Sequence, residues 1–390
     1  MTGTNCLYKS YIRKLGNWAL TYKLTFAMNF FNSHLNKYLV PRNLNFVWNL
    51  GFILGALFLC QLISGVLLVL FYVNFKEGTF ESIRRVSVEA NFGWYLRSYH
   101  SMGVSGYFCA MFCHIMKGIW FSSRFLPWSW FTGMLIYILS IAISFMGYAL
   151  PNGQMSYWGA IVIKNLLEWS GRGNTIIFGN HGVGPETLQR FFLLHFTLPF
   201  VVLVIVVLHI YVLHRNSSSN PMSPSDSYLT ERFFPTAFLG DVKLFTTVLI
   251  IIGFQVGYGQ ISLFQADPDN SIESNGMVTP IHIIPEWYLL IFYATLKLFP
   301  TKITGLVAMA CLLEALVALV ESRTVSPILS GAHYHRSWTS SYVVMVPTFV
   351  MLGLIGKMVA NFNLVMIGMN VLILSLSSIG RSLDSVRVRC

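Results

Sequence analysis

Charge is scarce in this chain. Asp, Glu, Lys and Arg together make up 11% of its 390 residues, against about a quarter in an ordinary soluble domain. That excludes both a water-facing globule and a disordered, highly charged polymer. Acid is scarcer still: 15 Asp and Glu stand against 26 Lys and Arg, and residues 1–47 hold no acid at all. Cysteine is sparse as well. Cys6, Cys60, Cys109, Cys113, Cys311 and Cys390 show no paired framework and mostly lie in apolar runs, which excludes a disulfide-stapled secreted fold. The chain has no glycine-rich phosphate loop and no internal repeat of domain size, so nucleotide-driven chemistry and solenoid folds drop out.

What is abundant is apolar length. Hydrophobic residues form 55% of the chain, gathered into runs near the roughly 20 residues that cross a bilayer as a helix. Eight runs are legible: Trp48–Val73, Tyr95–Phe121, Phe131–Leu150, Phe191–Leu213, Leu244–Leu263, Ile303–Val320, Ser341–Gly356 and Leu364–Ile379. The expected fold is an all-α membrane protein of eight transmembrane helices, the first four forming a bundle. Trp94, Trp120, Trp128 and Trp130 stand near run ends, where aromatic belts mark the interface.

An even number of spans puts both termini on one side. Charges near a run's end are counted with the adjoining loop. The terminal-side segments then hold 16 Lys/Arg against 4 Asp/Glu, and the opposite loops hold 10 against 9. The positive-inside rule places both termini on the negative side. The net charge of +11 thus follows topology rather than nucleic-acid binding. Four regions result: a basic segment 1–47, a four-helix bundle 48–213, a negative-side loop 214–243, and a C-terminal four-helix region 244–390. The first has the charge of a transit peptide and equally that of a basic surface helix, the preferred assignment. Glu314 lies inside the sixth run and Glu321 at its end; the sequence offers no physical account of Glu314.

Four histidines organise the chain. His100 and His114 share the second run, His195 and His209 the fourth, and both pairs are fourteen residues apart. On a helix, fourteen residues make nearly four turns and rise about 21 Å. Each pair therefore lies on one face, with one histidine toward each side of a core about 30 Å thick. Set face to face, the two helices offer an upper and a lower histidine couple, each suited to hold one planar metal macrocycle by axial imidazole ligation. A single histidine on an apolar helix is more often an interior packing residue; four at a repeated offset point to two stacked b-type haems. Gly51 and Gly65, and Gly133 and Gly147, repeat the offset on two further runs. Glycine lets a flat ring lie against the backbone, although small residues also serve ordinary helix contacts in membranes.

Two other stretches stand out. Cys109, Cys113 and His114 imitate a c-type haem attachment site, but three residues separate the cysteines where that motif has two; they are assigned to packing. The connection Pro151–Arg190 exceeds a simple link and is expected to be functional or to carry short helices. Pro285-Glu286-Trp287-Tyr288 opens an apolar helical stretch, with proline favourable at a helix start.

These motifs, with Gly147-Tyr148-Ala149-Leu150-Pro151 followed by Gly153-Gln154-Met155, resemble the cytochrome b family, the di-haem subunits of the mitochondrial cytochrome bc1 complex (respiratory complex III). The resemblance runs from about Trp48 through the eighth run. The related b6-type cytochromes end after four spans and usually have one extra residue between the second histidine pair, so the chain looks like the respiratory form. The resemblance implies a low-potential haem on His100 and His195 at the positive side and a high-potential haem on His114 and His209 at the negative side. Arg97 and Lys117 would meet haem propionates. A quinol pocket on the positive side would use Tyr148, Gly159, Pro285, Glu286 and Tyr288, with Glu286 accepting a proton. A quinone pocket on the negative side would use Asn49, His214, Ser218 and Asp241. Taken alone, Glu286 reads rather as a helix-start acid and His214 as an exposed loop residue. Lys117 stands where arginine is common, Asn152 where tryptophan is usual, and Gly240 where lysine usually precedes the aspartate.

The implied function is the transmembrane electron-transfer core of quinol–cytochrome c oxidoreductase, active only within its complex. The implied setting is the mitochondrial inner membrane with both termini in the matrix. The expected partners are a Rieske-type iron–sulfur protein, cytochrome c1, quinone, lipid and a second copy in a dimeric complex, with no nucleic acid. Two other classes keep part of the pattern. A di-haem reductase without quinol oxidation needs the histidines but not Pro285–Tyr288, and a transporter would use the histidines as a proton relay.

Overall fold

The computed structural model describes residues 25, 28–29, 32–74, 78–121, 126–180, 182–216, 220–221, 229–259, 267–319 and 336–384. A helix lies within or across each of the eight apolar runs as far as they are described: α1 (Leu50–Val69), α3 (Gly93–Trp120), α4 (Pro127–Ala149), α7 (Pro185–Asn216), α8 (Phe238–Tyr258), α10 (Lys302–Ala318), α11 (Arg336–Lys357) and α12 (Phe362–Asp384); residues 260–263 and 320, at the ends of two runs, lie outside the described residues. Shorter helices lie between them: α2 (Thr79–Glu89), α5 (Gln154–Leu166), α6 (Arg172–Phe178) and α9 (Leu290–Lys297). Among the described residues, six helices are long and apolar enough to cross a membrane. The other two are α3, whose histidines, Arg97, Lys117 and serines dilute a 28-residue helix, and α10, which is 17 residues long. The chain is an all-α membrane protein.

The ends of these helices have local causes. Pro127 occupies the first turn of α4, where its missing N–H costs nothing. Thr301 caps α10 by accepting from the Thr304 N–H. Gly259, at φ 61°, closes α8 in the left-handed conformation that glycine adopts without steric cost. Pro199 lies inside α7 and Pro347 inside α11, a placement that membrane helices tolerate because neighbouring groups satisfy the freed carbonyl. Helix α7 starts six residues before the apolar run it contains, because Pro185 and Glu186 supply a favourable first turn. The connection 151–190 carries α5 and α6.

Packing arranges the first four long helices as two pairs. Helix α1 runs along α3, and α4 along α7, while the contact between the pairs is much sparser. Beyond them α11 packs on α12, and α9 is sandwiched between α10 and α11. One core joins Ile53, Leu57, Phe108 and Met134 of the first half with Phe292, Leu312 and Met345 of the second. The two short strands are β1 (Leu39–Pro41) and β2 (Thr230–Arg232), antiparallel, with Val40 opposite Glu231. They tie the segment before α1 to the one before α8. The expected surface helix falls largely on residues 1–24, which lie outside the described residues, as do Ser218, Glu321 and 385–390.

Candidate functional site

Helix α3 carries His100 and His114, and α7 carries His195 and His209. The structure brings them together as the spacing predicts. The rings of His100 and His195 have centroids 6.3 Å apart, and those of His114 and His209 6.5 Å. Two metal–imidazole bonds of about 2.0 Å across one metal place ring centroids roughly 6 Å apart. Each couple therefore has the span of an axial pair. Among the described residues no three His, Cys, Asp or Glu side chains gather as a metal site.

Each glycine of the second set faces one histidine. Cβ atoms built on Gly51 and Gly65 of α1 would approach Cε1 of His114 and His100 at 3.6 and 3.1 Å. On α4, one built on Gly133 would lie 3.2 Å from Cε1 of His209, and one on Gly147 would overlap the His195 ring. The glycines make room first for the imidazoles themselves.

Hydrogen bonds then set the tautomers. Ser64 Oγ donates to a backbone carbonyl one turn back, at Cys60 or Gln61, and sits 2.9 Å from His100 Nδ1. With its one proton committed, the hydroxyl accepts from Nδ1–H. Thr132 Oγ1 repeats this with His209 at 2.9 Å while donating to the Trp128 or Ser129 carbonyl. His195 Nδ1–H donates to the Ile143 carbonyl at 2.8 Å. In all three the free donor atom is Nε2, the arrangement metal-ligating histidines use. His114 Nδ1 is buried and has no partner among the described residues.

A separate apolar cavity of about 260 Å³ opens between the two halves of the chain, with Tyr148, Gly159, Pro285 and Glu286 in its wall. Burial, reinforced by the negative charge of Asp267, pushes the Glu286 carboxyl up to about 7. That value suits a group that must accept a proton near neutral pH. Tyr293 and Ile283 complete the same side of the cavity.

Family models match most of the chain: "Cytochrome b/b6/petB" over residues 35–217 and "Cytochrome b(C-terminal)/b6/petD" over 273–376. The cytochrome b of Theileria parva is 56% identical over 362 residues, 93% of this chain and all of that one. The chain belongs to the cytochrome b family. The cytochrome b of Plasmodium falciparum is 41% identical over 304 residues, covering 78% of this chain and 80% of its own. Among solved structures, a chain of "Hyperthermophilic respiratory Complex III" superposes with a TM-score of 0.84 at 26% identity, covering 92% of this chain and 95% of its own.

The remaining residues singled out in the sequence are placed less uniformly. Tyr288 does not line the cavity; it is buried and stacked on Phe108 with centroids 4.1 Å apart. Arg97 donates to Ser87 Oγ at 3.1 Å. Lys117 Nζ sits over the Trp48 ring, 4.4 Å from its centroid, and Trp48 Nε1 is buried without a partner among the described residues. On the opposite side from the cavity, Asp241 is buried in the first turn of α8. A Cβ on Gly240 would come 3.2 Å from the Asn49 amide nitrogen, so the missing side chain lets Asn49 approach this turn. His214 stacks on Tyr38 at 4.4 Å. Three residues that matter were not found from sequence: Ser64, Thr132 and Asp267. A signal existed for two, since Ser64 precedes Gly65 and Thr132 precedes Gly133.

Proposed function

We propose that the chain is the transmembrane electron-transfer core of a quinol–cytochrome c oxidoreductase, acting as a subunit of respiratory complex III. The observation that carries this is the pair of histidine couples, each spaced for one axial site, stacked along two facing helices. His100 and His195 would hold the low-potential b haem toward the positive side, and His114 and His209 the high-potential one toward the negative side. When bound, the two haems carry single electrons across the membrane.

The protein's own groups do the rest. Ser64, Thr132 and the Ile143 carbonyl fix the imidazoles with Nε2 presented. At the negative-side couple, Lys117 and the unpartnered Trp48 Nε1 lie together, and an anionic propionate would satisfy both. Arg97, which donates to Ser87 Oγ, would meet a propionate at the other couple. The cavity between α4, α5 and α9 takes the quinol. Its apolar wall excludes water, Tyr148 and Gly159 shape it, and Pro285 aims Glu286 into it. Glu286 takes one of the two protons that leave with the two electrons. Asn49, His214 and Asp241 would form the quinone-reducing side, where Asp241 and His214 deliver protons. The partners are a Rieske-type iron–sulfur protein that takes one electron and cytochrome c1, in a dimeric complex of the mitochondrial inner membrane with both termini toward the matrix.

A reduced-minus-oxidised spectrum of the purified complex, with haem counted per chain, tests the assignment. Wild type should show two b-type haems. His114→Leu or His209→Leu should lose one and keep the other. Two intact haems in either variant, or none in wild type, would overturn the pairing; the latter is what a proton-relaying transporter predicts.

A further inference from the structure

The segment that carries Glu286 is held from outside the cavity by a chain of contacts. Lys297, at the last turn of α9, sends its ammonium to the C-terminus of α11, donating to the carbonyls of Gly356 at 2.6 Å and Met358 at 2.7 Å. These are carbonyls that the end of a helix leaves without intrahelical partners, and a cation is favoured there by the helix dipole. The same Nζ lies over the ring of Tyr293, 4.7 Å from its centroid. The Tyr293 hydroxyl donates to the Ile283 carbonyl at 3.0 Å, two residues before Pro285. Tyr293, Ile283, Pro285 and Glu286 all belong to the cavity wall, whereas Lys297 does not. Residues 280–286 form no helix or strand of their own, so the backbone ladder does not fix this stretch.

We propose that Lys297 is a positioning residue for quinol binding: fastened to the end of α11, it holds the Tyr293 ring, and through the Tyr293–Ile283 bond it fixes the Pro285–Glu286 wall of the cavity. This rests on the assignment of that cavity to quinol. The ammonium suits both contacts, because it donates to several carbonyls while facing a π-surface. A looser wall is in its binding-competent form for a smaller fraction of the time, and apparent affinity falls by that fraction.

The test is steady-state quinol–cytochrome c reductase activity of the intact complex, normalised to haem. Lys297→Met should raise the quinol KM roughly tenfold, equivalent to about 1.4 kcal/mol, with kcat nearly kept. Lys297→Arg should restore wild-type KM, since guanidinium also donates to carbonyls and stacks on rings. Tyr293→Phe should raise KM as well, and the double variant should be no worse than the stronger single one, because the two act in series. A wholly structural Lys297 predicts less complex per membrane with unchanged KM, and that result, or additive effects of the two substitutions, overturns the proposal. Glu286→Gln run alongside keeps two failures apart. An effect of E286Q without one of K297M overturns the latch alone; silence from both overturns the cavity's assignment to quinol.

Discussion

Gly147 and His195 meet so closely across the α4–α7 interface that a Cβ on the glycine would overlap the imidazole. The other three glycine–histidine approaches are looser, at 3.1 Å for Gly65, 3.2 Å for Gly133 and 3.6 Å for Gly51. The last is ordinary van der Waals contact. Space for the histidines therefore runs from none to adequate along a single motif.

That gradient predicts a graded response to alanine. Gly147→Ala should force His195 aside or push α4 from α7, at the cost of about 1–3 kcal/mol typical of overpacking, and should lower occupancy of the His100–His195 site. Gly51→Ala should leave both haems in place. Haem per chain and the two reduced spectra read this directly. Equal loss at both positions would show that glycine serves something other than room for the ring.

Glu286 leads to a second expectation. Its carboxyl is raised to about 7 by burial first and by Asp267 second, so the proton-accepting carboxylate grows as pH rises through that value. Quinol oxidation should climb through an apparent pKa near it. Asp267→Asn removes the repelling charge, lowers the Glu286 pKa and should move the rise to lower pH. Glu286→Gln should abolish the rise and slow turnover by about 100- to 10,000-fold if no water or carboxylate substitutes. A glutamate that only starts a helix predicts an unshifted profile and a stability change of about 0.3–1 kcal/mol. The measurement is haem-normalised activity against pH for wild type and the two variants.

The histidines were legible because a fourteen-residue offset has one meaning on a helix; ring distances of 6.3 and 6.5 Å follow from it. Tyr148, Gly159, Pro285 and Glu286 were found through resemblance, and the fold does gather them at one cavity. Tyr288 was carried along with its motif, yet two residues beyond Glu286, on the helical turn Trp287–Leu289, it stacks on Phe108 instead. Sequence cannot show which side of a turn faces a cavity. The Nδ1 partners were missed for a related reason: one of them is a main-chain carbonyl, at Ile143, which no side-chain pattern reports. Asp267 acts on Glu286 across nineteen residues of loop, a proximity that only the folded chain creates.

Asn152 is a second departure, after Gly240, that the structure explains. Its φ of 57° lies in the left-handed region, where asparagine is among the few tolerated side chains. Its Oδ1 accepts from Ser274 Oγ at 3.1 Å, and its carbonyl accepts from the Ser274 N–H at 3.1 Å. The corner after α4 is thereby pinned to the segment that leads to Glu286. Asn152→Gly keeps the conformation and loses one side-chain bond, a loss of about 1 kcal/mol. Asn152→Ala loses the bond and adds the left-handed penalty, about 1–2 kcal/mol more. Thermal inactivation of the complex should rank wild type above the glycine variant and that above alanine. Alanine matching glycine would mean that the backbone relaxes out of this conformation.

The four histidines also differ in what holds them, and this predicts a difference in redox tuning. His100 and His209 donate Nδ1–H to side-chain hydroxyls, Ser64 and Thr132; His195 donates to a carbonyl; the Nδ1 of His114 has no partner among the described residues. A hydrogen bond from Nδ1 makes the imidazole a stronger electron donor at Nε2, which favours the oxidised metal. Ser64→Ala should therefore raise the potential of a haem on the His100–His195 couple alone, and Thr132→Ala that of one on the His114–His209 couple alone. Loss of such outer partners typically weakens metal binding about 10- to 100-fold, so haem retention in detergent should fall at the same site. No side-chain substitution removes the corresponding bond of His195, which makes its couple the less tunable on that face. Potentiometric titration of the two b-haem bands, variant by variant, decides the matter: a shift in the high-potential band for Ser64→Ala or in the low-potential band for Thr132→Ala would reverse the assignment of couples to haems, and no shift in either would remove these hydroxyls from the control of potential.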